Sequence, residues 1–129
     1  MNTGEKILVA DDSLMVVAML SSILEGEGYA VVTAADGLEA INRAFEHRPD
    51  LILLDLYMPK LNGYQVCRLL KNDSTMAEIP IIILTGSGDV TDRFWSLQTG
   101  ANEFLTKDFE PPMLLEIIGR TLASTPRQL

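Results

Sequence analysis

The sequence predicts an α/β fold, an open and doubly wound sheet of five parallel strands with helices on both faces. Short apolar runs, several of them rich in Ile and Val, alternate along the chain with longer segments of helical spacing. Runs that are apolar at successive positions are typical of strands covered on both faces, as in a parallel sheet. Because parallel crossovers are right-handed, this strict alternation leaves only a few doubly wound strand orders.

The strands are predicted where the short apolar runs lie. In chain order they are Lys6–Ala10, Ala30–Ala34, Leu51–Asp55, Pro80–Thr85 and Glu103–Thr106.

The helices are predicted from apolar residues three or four positions apart, the spacing of a helix that packs one face on a core. The first, near Ser13–Glu25, is apolar on almost all sides, so its facing stays open. Three others show defined stripes: Leu38, Ile41 and Phe45; Val90, Phe94 and Leu97; and Leu114, Ile117, Ile118 and Thr121. Since Trp95 follows Phe94, one of these two rings is expected to face outward. Helix ends are indicated by Gly28 and Gly100, and a helix start by Pro111.

Length and composition exclude several classes of protein. The 129 residues suit one domain, predicted to span 1–129 with a core at about 6–123 and a frayed tail at 124–129. The net charge of −8 disfavours direct nucleic-acid binding. A single cysteine, Cys67, excludes an internal disulfide framework. With neither a membrane-length apolar run nor a secretory signal at the N-terminus, a cytoplasmic location without membrane association is expected.

Chemically distinctive side chains stand where the predicted strands end. Asp11 and Asp12 follow strand one, Asp55 ends strand three, Thr85 ends strand four and Lys107 follows strand five. Ligand sites of open α/β sheets lie at this edge. Oxygen ligands without His or Cys favour Mg²⁺, and a cation beside a lysine and a hydroxyl can receive a phosphoryl group. An Asp at its centre can act as the nucleophile. By themselves, Asp11 and Asp12 could equally cap the first helix.

Four motifs in order resemble the receiver domain of the two-component response-regulator family. They are the acidic pair in ILVADDS, the Asp in LILLDLYMPKLNGY, the Thr in IIILTG and the Lys in EFLTK, and the resemblance extends from Lys6 to about Ala123. It implies a flavodoxin-like sheet with strand order 2-1-3-4-5.

The resemblance also implies a role for each motif residue. Asp55 would be the phosphoacceptor. Asp12 would bind Mg²⁺ directly and Asp11 directly or through water, with Asp55 and the backbone carbonyl of Tyr57 completing the protein ligands.

Three further residues correspond to the phosphoryl contacts and the conformational switch of the family. Lys107 would pair with the phosphoryl oxygens and Thr85 would donate a hydrogen bond to one of them. Phe104 takes the place of the switch aromatic of the family, which is often Tyr.

The chain also departs from the family at Asp108, where Pro usually follows the Lys. Because a cis bond before a residue other than Pro costs about 2.5–4 kcal/mol, the Lys107–Asp108 bond is expected to be trans, with Asp108 facing solvent or capping the next helix.

The function implied is a phosphorylation-dependent signalling switch that turns over no separate substrate and catalyses only its own phosphorylation and dephosphorylation. Its phosphoryl donor would be a sensor histidine kinase or a phosphotransfer protein. The surface formed by helix four, strand five and helix five would change on phosphorylation and be read by partners. The protein would be a monomer or a phosphorylation-dependent dimer. The downstream effector stays open. The alternatives are a Mg²⁺-dependent phosphatase of the haloacid-dehalogenase type, whose D-x-D pattern is absent after strand one, and a degenerate receiver that only binds partners. A flavin-binding flavodoxin relative is also disfavoured, because the sequence has no hydroxyl- and glycine-rich phosphate loop after strand one.

Overall fold

A computed structural model describes residues 4–86 and 90–124 of the chain, with residues 90 and 91 described by their backbone only. Within this part, five strands alternate with five helices. The strands are β1 Lys6–Ala10, β2 Ala30–Ala34, β3 Leu51–Asp55, β4 Ile81–Thr85 and β5 Glu103–Thr106. The helices are α1 Leu14–Gly26, α2 Gly37–His47, α3 Gly63–Lys71, α4 Val90–Gln98 and α5 Pro111–Ser124.

All the strands are parallel and form one sheet with the order β2-β1-β3-β4-β5. The fold class and the strand order predicted from the sequence are therefore confirmed. Ala10 pairs with Leu54, and Asp55 pairs with Leu84 one step further along the sheet. This register brings the carboxyl ends of β1, β3 and β4 to one edge.

The hydrophobic core consists of two clusters, one on each face of the sheet. Successive residues of β1 alternate between them, so Leu8 packs with α2 and α3, whereas Ile7 packs with α1 and α5. This alternation follows from the two-residue period of a strand. Because both faces are covered, every residue of β3 and β4 is buried, as the continuous apolar runs predicted.

Local sequence signals lie within two residues of several element ends. Ser13 precedes α1 as its N-cap, and its hydroxyl accepts a hydrogen bond from the backbone N–H of Val16 at 3.3 Å. Pro80 lies just before β4 because it has no N–H to donate to the ladder. Gly28 and Gly100 follow helices with φ angles of 93° and 100°, a conformation that favours glycine.

Two of the predicted helix stripes are wrong about which side chains are buried. On α2, Leu38 and Phe45 are exposed and Ile41 is partly buried, while the face against the sheet is formed by Ala40 and Ala44. Small side chains let the helix approach the sheet closely, and the larger residues then lie at the margins of the contact.

The α4 stripe fails in the same way. Phe94 and Leu97 are exposed, and Ser96 and Thr99 are buried in their place. One of the Phe94 and Trp95 rings was expected to face outward, and in the structure both rings are exposed. The side chain of Val90 lies outside the described part of the chain.

The stripe of α5 is confirmed. Leu114, Ile118 and Thr121 are buried, and Ile117 packs partly buried at the rim of the same cluster. Ser124, expected to begin the frayed tail, is the last residue of α5, and residues 125–129 lie outside the described residues. Among the described helices, none combines the length and the apolar character needed to cross a membrane.

Candidate functional site

Three carboxylates converge at the carboxyl edge of the sheet. Asp11 and Asp12 follow β1 and Asp55 ends β3, and an oxygen of each lies within 4.8 Å of the other two. Asp11 and Asp55 are buried, whereas Asp12 is exposed. The potential metal ligands are all carboxylate oxygen atoms and lie close together. The cluster is open to solvent on the side of Asp12. Such a set fits Mg²⁺, which takes a few carboxylate ligands and keeps several waters.

Asp11 is oriented by the chain that leads into α1. One of its carboxylate oxygens accepts a hydrogen bond from the backbone N–H of Ser13 at 2.9 Å. The helix N-cap itself is Ser13, so capping of α1 does not account for either aspartate. The second oxygen of Asp11 points to Lys107.

Lys107 lies between two of the carboxylates. Its Nζ is 2.8 Å from Asp11 and 3.0 Å from Asp55, and its backbone N–H donates to the carbonyl oxygen of Thr85 at 2.7 Å. Burial alone would lower the pKa of Lys107, but the hydrogen bonds that its ammonium donates to Asp11 and Asp55, and their negative charges, outweigh burial, so the pKa of Lys107 is raised. Lys107 therefore stays charged at neutral pH.

The negative charge of Asp55 is disfavoured by its surroundings in spite of this lysine. Burial raises the pKa of its carboxyl group, and repulsion by Asp11 and Asp12 adds to the effect, although the bond to Lys107 opposes it. One ammonium facing three carboxylates leaves excess negative charge at this edge. A divalent cation is the chemical group that would relieve it.

The loop after β3 is held close against the strand it leaves. The N–H of Gly63 donates to the carbonyl of Leu56 at 2.8 Å, and a Cβ built on Gly63 would lie only 2.7 Å from the carbonyl oxygen of Asp55. Only glycine permits this approach at the start of α3. Tyr57 lies in this loop two residues after Asp55, with its side chain largely exposed.

Thr85 ends the strand next to that of Asp55, and Phe104 lies in the following strand, β5, which leads into Lys107. Thr85 is fully buried at the end of β4, where it pairs with Thr106 of β5. Phe104 is buried in the core cluster that contains α2 and α3. The guanidinium of Arg93 lies over its ring, 5.9 Å from the centroid, and donates to its backbone carbonyl at 3.4 Å.

Sequence reasoning missed two groups of α4 that reach this region. Asp92 accepts hydrogen bonds from the hydroxyls of Tyr57 and Tyr64, and Arg93 covers Phe104. No periodicity or motif marks them, because the partners are distant in sequence and meet only once α4 is docked.

A family comparison accounts for this arrangement. The family model of the response regulator receiver domain matches residues 7–119. The chain belongs to this family. The match favours none of the alternatives, whether phosphatase, flavodoxin relative or degenerate receiver.

Curated relatives of this receiver domain are longer proteins. It is 42% identical over 125 residues to a probable transcriptional regulator, ycf27, of Guillardia theta, covering 97% of this chain and 48% of the relative. It is 43% identical over 108 residues to the alkaline phosphatase synthesis transcriptional regulatory protein PhoP of Bacillus subtilis, covering 84% of this chain and 44% of the relative. The chain thus spans about half the length of the curated relatives it matches.

Solved structures resemble the receiver domain over nearly their whole length. A putative response regulator from Chloroflexus aurantiacus has a TM-score of 0.90 at 33% identity, covering 94% of this chain and 99% of that one. The receiver domain of a sensor histidine kinase from Pseudomonas aeruginosa has a TM-score of 0.88 at 34% identity, covering 95% and 100%. That second structure has a magnesium ion coordinated in its active-site cleft.

The departure of this receiver domain at Asp108 has a simple local structure. None of the described peptide bonds is cis, so the Lys107–Asp108 bond is trans, as expected from the absence of proline. Asp108 is exposed and accepts a hydrogen bond from the hydroxyl of Thr106. It faces solvent rather than the carboxylates, and so does not compete with them for Lys107.

Proposed function

We propose that this receiver domain is a switch that accepts a phosphoryl group on Asp55. The observation that carries the proposal is the position of Lys107, whose Nζ lies within 3.0 Å of both Asp11 and Asp55 while Thr85 ends the adjacent strand. In this proposal Asp55 is the nucleophile, Lys107 is a fixed positive charge beside it, and Thr85 supplies a hydroxyl from the end of the adjacent strand.

Asp11, Asp12 and Asp55, together with the backbone carbonyl of Tyr57, are the residues that we propose hold Mg²⁺. The three carboxylates supply oxygen atoms within 4.8 Å of one another. When bound, the ion supplies positive charge that neutralises the phosphoryl oxygens during transfer.

The chain's own groups carry out the rest of the reaction. A carboxylate oxygen of Asp55 attacks phosphorus, the new P–O bond replaces the P–N bond of a phosphohistidine, and the departing imidazole takes up a proton. Lys107, already 3.0 Å from Asp55, pairs with the oxygens that arrive, and Thr85 donates its hydroxyl to one of them. Water later hydrolyses the acyl phosphate, so no separate substrate is turned over.

The partners follow from this chemistry. The donor is a histidine kinase or a phosphotransfer protein in the cytoplasm, and the readout is the surface of α4, β5 and α5, with Phe104 on β5 as the switch aromatic. We propose that this surface contacts a downstream effector or a second phosphorylated copy of the chain. The effector is left open, because the chain spans only half the length of its curated relatives.

Intact-mass measurement tests the assignment of Asp55. After incubation with acetyl phosphate and Mg²⁺, the protein should gain one phosphoryl group, and chelation of the metal should prevent the gain. Asp55→Asn should abolish it. Asp73→Asn is the matched control, because Asp73 follows α3 at the opposite end of the sheet and should not affect it. A phosphoryl group that persists in Asp55→Asn would contradict the proposal.

A further inference from the structure

A hydrogen-bonded group links α4 to the loop after β3. The hydroxyl of Tyr57 donates to Oδ2 of Asp92 at 2.9 Å, across 35 residues of sequence. The hydroxyl of Tyr64 donates to the other oxygen, Oδ1, at 3.0 Å, and also lies 3.2 Å from the backbone carbonyl of Asp92. Each oxygen of this carboxylate therefore has its own phenol donor.

The Tyr64 side of the group is anchored in rigid structure. Tyr64 is in the first turn of α3, which begins with a reciprocal capping box between Asn62 and Gln65, with both bonds at 2.9 Å. The ring of Tyr64 also packs against the core. The bond from Tyr64 therefore sets the direction in which Asp92 presents its second oxygen.

The Tyr57 side of the group belongs to the phosphoacceptor loop. Leu56 is tied to the sheet, since its N–H donates to Leu84 at 3.1 Å and its carbonyl accepts from Gly63 at 2.8 Å. At Tyr57 the chain leaves these ladder bonds and the side chain becomes largely exposed. A bond from this side chain to a carboxylate that is itself oriented restricts the backbone from which it extends.

We propose that Asp92 is a positioning residue that holds the backbone carbonyl of Tyr57 at the metal site through the Tyr57 hydroxyl. The inference rests on the proposed function, in which that carbonyl is a Mg²⁺ ligand. Asp92 is not one of the proposed ligands. It acts as residues outside the ligand set act in other metal sites, by fixing the orientation of a ligand.

Calorimetric titration of the full chain with Mg²⁺ tests this positioning role. Tyr57→Phe keeps the ring and the backbone carbonyl and removes only the hydroxyl. It should raise the dissociation constant about tenfold, the lower end of the usual effect for residues that orient metal ligands. Asp92→Asn should weaken binding by at least as much, because it also removes a negative charge. Tyr64→Phe, which leaves the Tyr57–Asp92 bond in place, should have a smaller effect.

The double variant Tyr57→Phe/Asp92→Asn separates positioning from charge. If the two residues act through their mutual bond, the double variant should bind Mg²⁺ no more weakly than Asp92→Asn. Thermal unfolding midpoints without metal should agree among the variants to within a few degrees, because Tyr57 is largely exposed.

The possible outcomes distinguish this inference from the proposed function. Unchanged Mg²⁺ affinity in Tyr57→Phe, or fully additive losses in the double variant, would overturn the role of Asp92 and leave the phosphoacceptor site standing. If the unaltered chain binds no Mg²⁺ and gains no phosphoryl group, the proposed function fails and the inference fails with it.

Discussion

The helices α4 and α5 lie on either side of β5 in sequence, but they are attached to the domain in opposite ways. α5 buries Leu114, Ile118 and Leu122 in the core cluster it shares with α1. On α4, the large apolar side chains Phe94 and Trp95 remain 54% and 51% exposed.

Among the side chains of α4 that the structure describes, those of residues 92–98, polar contacts rather than buried apolar groups attach the helix to the domain. Asp92 accepts from two tyrosines, Arg93 reaches Phe104, and the carbonyl of Thr99, just beyond the helix, accepts from the thiol of Cys67 at 3.4 Å. Such contacts have direction and can be exchanged for others, whereas leaving an apolar core costs free energy in proportion to the area exposed. We therefore expect α4 to shift at a lower cost in free energy than α5.

The largest expected effect is on α5. Ile118→Ala removes a side chain with no exposed surface and should lower the free energy of unfolding by about 2–5 kcal/mol, through lost burial and the cavity left behind. Chemical denaturation followed by circular dichroism measures it. Ile117→Ala, at the rim of the same cluster, is the matched control and should cost less. A loss below about 1 kcal/mol for Ile118→Ala would contradict the expectation that α5 shifts at the higher cost.

A smaller effect of opposite sign is expected at Asp55. Burial raises the pKa of Asp55 above its ordinary value of 3.8, so the folded state binds this proton more tightly than the unfolded state does. Its contribution to stability therefore falls as pH rises through the raised pKa, and the charged group destabilises the fold at neutral pH. Asp55→Asn removes that charge while Lys107 keeps Asp11, and should raise stability at pH 7 by about 1 kcal/mol.

The pH dependence sharpens this second test. The difference between Asp55→Asn and the unaltered chain should shrink as pH falls to 3.8 and below, because Asp55 then becomes protonated in the folded state and, at the lower end, in the unfolded state as well. Amide exchange should show the gain in α5, whose amides we expect to open only in global unfolding, and less of it in α4. A variant less stable than the unaltered chain at pH 7 would mean that the ion pair with Lys107 outweighs burial.

The smallest expected effect is on α4. Phe94→Ala removes an exposed ring that meets Trp95 edge-on, with centroids 5.3 Å apart, and should change the free energy of unfolding by less than about 1 kcal/mol. The emission of Trp95, the only tryptophan in the sequence, should nevertheless shift to longer wavelength as its environment becomes more polar. A stability loss as large as that of Ile118→Ala would erase the contrast between the two helices.

Sequence reasoning was accurate where the signal was a continuous apolar run or a residue at the end of such a run. The strands were predicted to within one residue because their apolar runs are continuous and bounded by polar or turn residues. The convergence of Asp11, Asp55, Thr85 and Lys107 was predicted because parallel strands must end at one edge. The chemical roles of these residues remain predictions until phosphorylation is measured.

Sequence reasoning was wrong about which face of a helix packs against the sheet in α2 and α4. In both helices the apolar spacing predicted that the largest side chains are buried. The buried residues are instead Ala40 and Ala44 in α2 and Ser96 in α4. A periodic pattern indicates which face of a helix is apolar, but it does not determine how closely the helix approaches the sheet. A close approach favours small side chains at the contact.

By itself, the sequence determined the order of strands and helices, the parallel sheet and the edge at which the acidic and basic residues meet. These follow from local propensity, the handedness of crossovers and chain direction. Only the tertiary structure decided that Lys107 bridges Asp11 and Asp55, that Phe104 lies beneath Arg93, and that Asp92 joins Tyr57 to Tyr64. The physical reason is that these contacts join groups far apart in the chain, and their geometry exists only when the packed elements fix the distances between them.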